Sequence, residues 1–216
     1  MAHEFSESLR VCPSLDGHQL ELYKTFRDAL YSWNQRKNLT RVPIEQCDIR
    51  HFAESLLVAE FASGSVLDLG TGPGFPAWPL ACALPKVEVV AIDSNGKMLD
   101  FLRSMPLPNL QVVQGRIEEQ KWEEKFGLVT GRAFAPLLIQ LECSVRPCRT
   151  GGLIVPFRSA KDDLDPKELE SLGLELTTVK RSHLSDGVER ILPVYKKVTA
   201  PPPDVPRPWA VMKRAI

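Results

Sequence analysis

The sequence predicts an α/β fold, a mostly parallel sheet with an antiparallel last strand, preceded by a small helical module. Three observations predict it. From Ser65 onward, short β-branched runs alternate with helical stretches of ten or so residues, which is the pattern of a parallel sheet covered on both faces. The first of these runs ends at a glycine turn, VLDLGTGPGF. The last two runs have no helix between them, so they form an antiparallel hairpin at one edge.

In chain order, residues 18–34 form an amphipathic helix, with Leu22, Tyr23, Phe26, Leu30 and Trp33 at helical spacing. The polar stretch NQRKNLT, 34–40, interrupts it. Pro43 opens a second helix over about 43–50 that continues through HFAESLLVAEF. VLDLG is a short buried strand, followed by a helix from Pro76 to Leu84. VEVVAI, 87–92, is a strand ending at Asp93. A helix over 95–104, a strand over 110–115, a strand over 127–133 and a helix over 136–146 follow. Then come a strand over 151–157, a helix over 166–172, and strands over 174–180 and 189–198. PPPDVPRPW, 201–209, is stiff and extended and joins no helix. The expected organisation is a helical module over 1–62, a sheet domain over 63–200, and a proline-rich tail over 201–216 packed on or near the active face.

Composition narrows the class. The 216 residues are 44% hydrophobic and 25% charged, enough for one substantial core and unlike a disordered chain. Formal net charge is zero, but the charges segregate: Lys24, Arg27, Arg36, Lys37, Arg41 and Arg50 crowd 24–50, while 118–124 and 162–175 are acid-rich. No apolar run is long enough to span a membrane, and MAHEFSESLR does not read as a secretory signal. Five scattered cysteines read as reduced cytoplasmic thiols. The four histidines have no metal-ligand spacing, so no metal is expected.

The glycine turn, Gly70, Gly72 and Gly74, lets the backbone approach a ligand beyond the carboxyl end of the first strand. A dinucleotide fingerprint needs GxGxxG; here Phe75 stands where the third glycine falls. No Lys-Ser/Thr pair follows, which excludes a phosphate loop. GxGxG between strand and helix is the arrangement of adenosyl-methionine-dependent methyltransferases. Asp93, at the end of the second strand, can accept hydrogen bonds from ribose hydroxyls, with Ser94 beside it. Asp68 is placed to receive the turn's amides or face a ligand ammonium. Arg116, Ile117 and Glu118 follow the third strand, where an adenine edge is met. An NAD oxidoreductase is disfavoured, because the third glycine and a Tyr-x-x-x-Lys set are both missing.

Taken together, WNQRKNLT (33–40), HFAESL (51–56), DLGTGPGFPAWPLA (68–81), DSNGKMLDFL (93–102), GRIEE (115–119) and GRAFAPL (131–137) resemble, in order and spacing, the bacterial small-subunit 16S ribosomal RNA guanine-N7 methyltransferases of the RsmG (GidB) type. The resemblance implies a class I, Rossmann-like methyltransferase fold, S-adenosyl-L-methionine as cofactor, 16S rRNA or a small-subunit precursor as partner, a cytoplasmic location, and a monomer. It places Arg132, Lys97 and His51 near the chemistry. Arg132 would orient the target guanine or its phosphate and border the cofactor. Arg36, Lys37, Lys97, Arg158 and Arg207 are the candidate RNA contacts. Each carries a plainer alternative: a helix ion pair for Arg132, a solvent-facing Lys97, a packing histidine at His51, a docked tail at Arg207, and a core role for Trp33 in place of base stacking. Departures from the family pattern are Ala77, Met98 and Phe157-Arg158-Ser159. Two further readings stand beside this one: a methyltransferase for a small molecule or protein, and a non-catalytic RNA- or ribosome-binding protein on the same fold.

Overall fold

The computed structural model describes residues 4–158 and 164–215; Ser159 and the start of the acid-rich stretch at 162–163 lie outside the described residues. The sheet has seven strands: β1 (Val66–Leu69), β2 (Val89–Asp93), β3 (Leu110–Gln114), β4 (Phe126–Arg132), β5 (Cys148–Phe157), β6 (Leu174–His183) and β7 (Glu189–Lys197). Their order is β3-β2-β1-β4-β5-β7-β6. The first five are parallel, and β7 runs antiparallel to both β5 and β6. The chain winds outward from β1 to β2 and β3, then returns to the other side of β1 for β4. That reversal opens a crevice at the carboxyl ends of β1 and β4, where open α/β sheets hold their ligands. The last hairpin is antiparallel as expected, but β7 inserts between β5 and β6 and leaves β6 at the edge.

Helices α1 (Ser6–Val11) and α2 (Gly17–Lys37) begin the chain. A capping box starts α2: Asp16 accepts from Gln19 N at 2.8 Å, and the Gln19 side chain accepts from Asp16 N at 2.9 Å. The helix does not stop at Asn34, as the polar run implies; it continues to Lys37, because Gln35, Arg36 and Lys37 face solvent, which a helix tolerates, and the half-buried Asn34 side chain accepts from Thr40 N and donates to Thr40 O, both at 2.9 Å. Asn38 ends it in the left-handed conformation, φ 52°. Residues 44–61 are helical in pieces, a wide turn over Asp48–Ala53 running into α3 (Glu54–Leu56). Pro43 precedes the first of these turns rather than opening it. Trp209 also departs from expectation: it begins a short helix, α8 (Trp209–Met212), directly after Pro208.

The helical module and one sheet face share a core. Phe26 lies 4.2 Å from the Trp78 ring, 5.5 Å from Phe75 and 5.1 Å from Phe101, and so joins α2 to α4 (Ala77–Ala83) and α5 (Gly96–Arg103). Tyr23 stacks on Phe52 at 4.4 Å. Trp33 packs edge-on to Phe101 at 5.7 Å, in its core role. Pro79 is tolerated in α4 because it lies in the first turn, where its missing N–H leaves nothing unpaired. The opposite sheet face is covered by α6 (Leu137–Val145) and α7 (Pro166–Ser171). Replacing Phe26 by Ala would empty the contact between module and sheet. The expected loss is about 3–5 kcal/mol in urea unfolding, with both parts melting together.

Candidate active site

The glycine turn closes tightly on the end of β1. Gly70 N and Thr71 N donate to Ile92 O at 2.9 and 3.1 Å. Gly70 has φ +65°, and a Cβ there would come within 2.6 Å of the Phe134 ring, so only glycine fits. Asp93 spans the turn: one carboxylate oxygen accepts from Gly72 N at 2.8 Å, the other from Asn95 N at 2.7 Å. Asp68 is fully buried; its Oδ2 accepts from Ala77 N at 3.0 Å, and its Oδ1 has no hydrogen-bond partner among the described residues. Burial pushes the Asp68 carboxyl up to about 7.

One cleft opens beside this turn and a second on the other side of Ala133. The narrower, about 230 Å³, is lined by Gly70, Asp93, Ser94, Arg116, Ile117, Glu118, Phe134 and Trp209 among others. The wider, about 820 Å³, is lined by Arg50, Glu54, Arg132, Arg158, Asp186, Glu189 and Arg190 among others. Ala133, the residue after β4, borders both.

Three groups hold the Arg132 side chain in the wider cleft. Its guanidinium donates to Arg50 O at 2.6 Å and to His51 Nδ1 at 3.2 Å, and lies 3.5 Å from Glu54 Oε1. Its Cζ stands 5.4 Å from the Phe75 ring centroid. Arginine only donates, so His51 Nδ1 is the acceptor and Nε2 carries the proton, which it gives to Thr40 Oγ1 at 2.8 Å. His51 is buried and stacked on Phe75 at 4.1 Å with the rings 5° from parallel. Burial, and after it the Arg132 and Arg50 charges, hold its pKa down at about 3. His51 is therefore neutral with both nitrogens engaged, and it lies behind Arg132 instead of at the surface of either cleft.

The other expected residues separate. Asp93, Ser94, Arg116, Ile117 and Glu118 meet in the narrower cleft, with Gly70 in its wall. Gly72 is tied to Asp93, while Gly74 and Phe75 pack behind the turn toward Leu102 and His51. Arg158 borders the wider cleft, donating to Ala135 O at 3.0 Å and Gln140 Oε1 at 2.6 Å. Lys97 is exposed on the first turn of α5, and Arg36 and Lys37 are exposed at the end of α2; none lines either cleft. Arg207 is bound to Glu142 through its guanidinium at 2.7 Å and its backbone N at 2.6 Å, the docked-tail alternative. Arg190 and Asp186 are additions that no contiguous motif marks. Arg190 is clamped by Glu54 at 3.1 Å and by Asp186 at 2.7 Å. Among the described residues no group of His, Cys, Asp or Glu is arranged for a metal, and no helix is long and apolar enough to cross a membrane.

A sequence model of the GidB family, described as rRNA small subunit methyltransferase G, matches residues 19–188. The ribosomal RNA small subunit methyltransferase G of Desulfitobacterium hafniense (strain Y51) is 34% identical over 213 residues, covering 92% of this chain and 89% of that protein. The protein of the same name from Salmonella agona (strain SL483) is 41% identical over 167 residues, covering 74% and 78%. Among solved structures, a TehB-like SAM-dependent methyltransferase from Corynebacterium glutamicum superposes with a TM-score of 0.57 at 19% identity, over 79% of this chain and 98% of that one. A SAM-dependent methyltransferase from Aquifex aeolicus gives 0.53 at 18% identity, over 70% and 93%. The structural likenesses bear on the fold alone.

His51 and Asp68 pull stability in opposite directions with pH. His51 is held at about 3 against an ordinary value near 6.5. The unfolded chain therefore binds the extra proton between those values, and stability rises with pH across that window. Asp68 is raised to about 7. Between its ordinary value and 7 the folded chain holds the extra proton, and stability falls as pH rises. At pH 5–6 the two slopes oppose. Urea unfolding of His51→Asn is expected to show stability falling with pH there, and Asp68→Asn stability rising, each by at most about 1.4 kcal/mol per pH unit. Parallel profiles for the two variants would refute these assignments.

Proposed function

This chain belongs to the rRNA small subunit methyltransferase G (GidB) family, and we propose that it methylates N7 of a guanine in 16S ribosomal RNA, with S-adenosylmethionine as the methyl source. The observation that carries the reading is the pair of clefts meeting at Ala133, one shaped for a nucleoside and the other lined with arginine.

The residues present fit the cofactor. Gly70 lines the narrower cleft with Asp93 and Ser94, and Asp68 Oδ1 is a buried carboxylate oxygen with no hydrogen-bond partner among the described residues. Asp93 would hold the ribose hydroxyls, Asp68 would face the amino-acid ammonium, and the segment Arg116–Glu118 would border the adenine. When bound, the cofactor supplies an electrophilic methyl group on a sulfonium.

The chain's own task is then alignment. Guanine N7 has an in-plane lone pair and needs no strong base to expose it. That agrees with a neutral His51 whose nitrogens are both engaged. Arg132 would orient the guanine or its phosphate through its rigid donor fork, and His51, Arg50 O and Glu54 fix that fork. The guanine gains positive charge as it is methylated, and Glu54 in the same cleft opposes that charge. Arg36, Lys37 and Lys97, exposed outside the clefts, would add phosphate contacts and make RNA binding salt-dependent. The protein would act as a cytoplasmic monomer on the RNA or on a small-subunit precursor.

The test is to incubate deproteinised small-subunit RNA and intact subunits separately with methyl-labelled S-adenosylmethionine, and to map label by nuclease digestion. Label recovered as 7-methylguanosine on either substrate is expected; label on neither overturns the reading. Asp93→Ala should weaken cofactor binding tenfold or more, given about 1.5–3 kcal/mol for hydrogen bonds to a charged group, and leave RNA binding nearly intact. Arg132→Ala should keep cofactor affinity within about twofold while methyl transfer falls about a hundredfold from misalignment.

A further inference from the structure

One wall of the narrower cleft comes from the far end of the chain. Trp209 lines it beside Asp93, Ile117 and Phe134. Its indole is partly exposed, and the Arg116 guanidinium lies 5.6 Å from its ring centroid. Trp78 provides the contrast: it is buried in the core, with its indole N–H given to Met105 O at 2.8 Å.

The polypeptide is pinned on both sides of Trp209. Before it, the Arg207 backbone N and guanidinium both reach Glu142, a buried carboxylate on α6. Arg146, at the end of the same helix, donates to Val205 O at 2.8 Å and Pro203 O at 3.0 Å. After it, the Met212 side chain is fully buried in the core beneath α6, and Val205 joins the same cluster. An aromatic ring fixed in this way loses little freedom on meeting a ligand.

The chemistry of the cleft selects the ligand. Its polar side chains are Asp93, Ser94, Arg116 and Glu118, of which Asp93 and Ser94 are suited to ribose hydroxyls. Its apolar side chains are Ile92, Ile117, Phe134 and Trp209, suited to a flat, neutral aromatic base. We propose that Trp209 is a binding residue for the adenine ring of the cofactor, and that the tail from Pro202 to Met212 is a fixed wall of the cofactor cleft. Arg207 is then the latch of that wall and not an RNA contact. The inference rests on the cofactor reading above and adds a residue outside the sheet to it.

Calorimetric titration of the full chain with S-adenosylhomocysteine, and with 5′-methylthioadenosine as the adenosine half alone, tests the assignment. For Trp209→Ala both affinities are expected to fall by about tenfold, the scale of one base–aromatic stack. The two losses should be equal, because the amino-acid half is untouched. Trp209→Phe should restore both ligands to within about threefold of the parent, since a ring again faces the base. Arg207→Ala should weaken both ligands in the same direction by releasing the latch. Trp209→Ala binding both ligands within about twofold of the parent would overturn the inference. So would Trp209→Phe as weak as the alanine variant, since the ring would then not be the binding element. Failure of the unaltered chain to bind either ligand would instead overturn the cofactor reading itself, and this inference with it.

Discussion

The ring of Phe75 makes four contacts, which tie the glycine turn to α2, to the helical turn over Asp48–Ala53 and to the end of β4. His51 stacks on it at 4.1 Å, the Arg132 guanidinium lies over it at 5.4 Å, and Phe26 and Phe52 meet it edge-on at 5.5 and 6.1 Å. Phe75 belongs to the turn that contains three positive-φ glycines, a segment with much conformational freedom to lose on ordering. Burying one aromatic ring offsets that cost by about 1.5–3 kcal/mol. The helical module is therefore what holds the glycine turn in shape. The same ring also backs the arginine of the wider cleft, so the two clefts share one support.

Charge in the wider cleft is balanced locally. Glu54 lies between Arg132 and Arg190, and Asp186 holds Arg190 from the other side. Without these carboxylates the buried Arg190 and the partly buried Arg132 would repel one another with their lost solvation uncompensated. On the proposed function, an RNA phosphate entering here would compete with Glu54 for Arg132 instead of finding a bare cation. Selectivity at this point would then follow from the planar geometry of the fork more than from net charge. The formal neutrality of the whole chain conceals this arrangement, since opposite charges distant in sequence cancel within one cleft.

What the sequence discloses follows from how local each feature is. The strands of VLDLG and VEVVAI, the glycine turn and Asp93 are contiguous or bounded by turn residues, and each lies close to where its pattern places it, the second strand starting at Val89 and not at Val87. NQRK misleads because polar residues on the outer face of a helix have the composition of a loop. The insertion of β7 between β5 and β6 is invisible to periodicity, which states that a strand exists but not which edge it pairs with. The wider cleft draws on Arg50, Glu54, Arg132, Arg158, Asp186 and Arg190, from four separate stretches, so no spacing announces it. In sequence His51 stands between a residue near the chemistry and a packing histidine, and in space it is a buried support, because burial is a property of the fold and not of the motif HFAESL.

The backbone at Ala133 explains how one strand end serves both clefts. In an extended strand, residues i and i+2 point to the same face. Arg132 and Phe134 do not: Arg132 enters the wider cleft, and Phe134 closes over Gly70 in the narrower one. Between them Ala133 is left-handed, φ 53°, a conformation that costs a residue with a Cβ about 1 kcal/mol. The cost is sustained because both neighbours are held, Arg132 by Arg50 O and His51, Phe134 by the close approach of Gly70. Relaxing Ala133 to an extended conformation would bring both side chains to one face and take Phe134 off Gly70. The strained residue is therefore the joint at which the narrower cleft and the arginine-lined cleft meet.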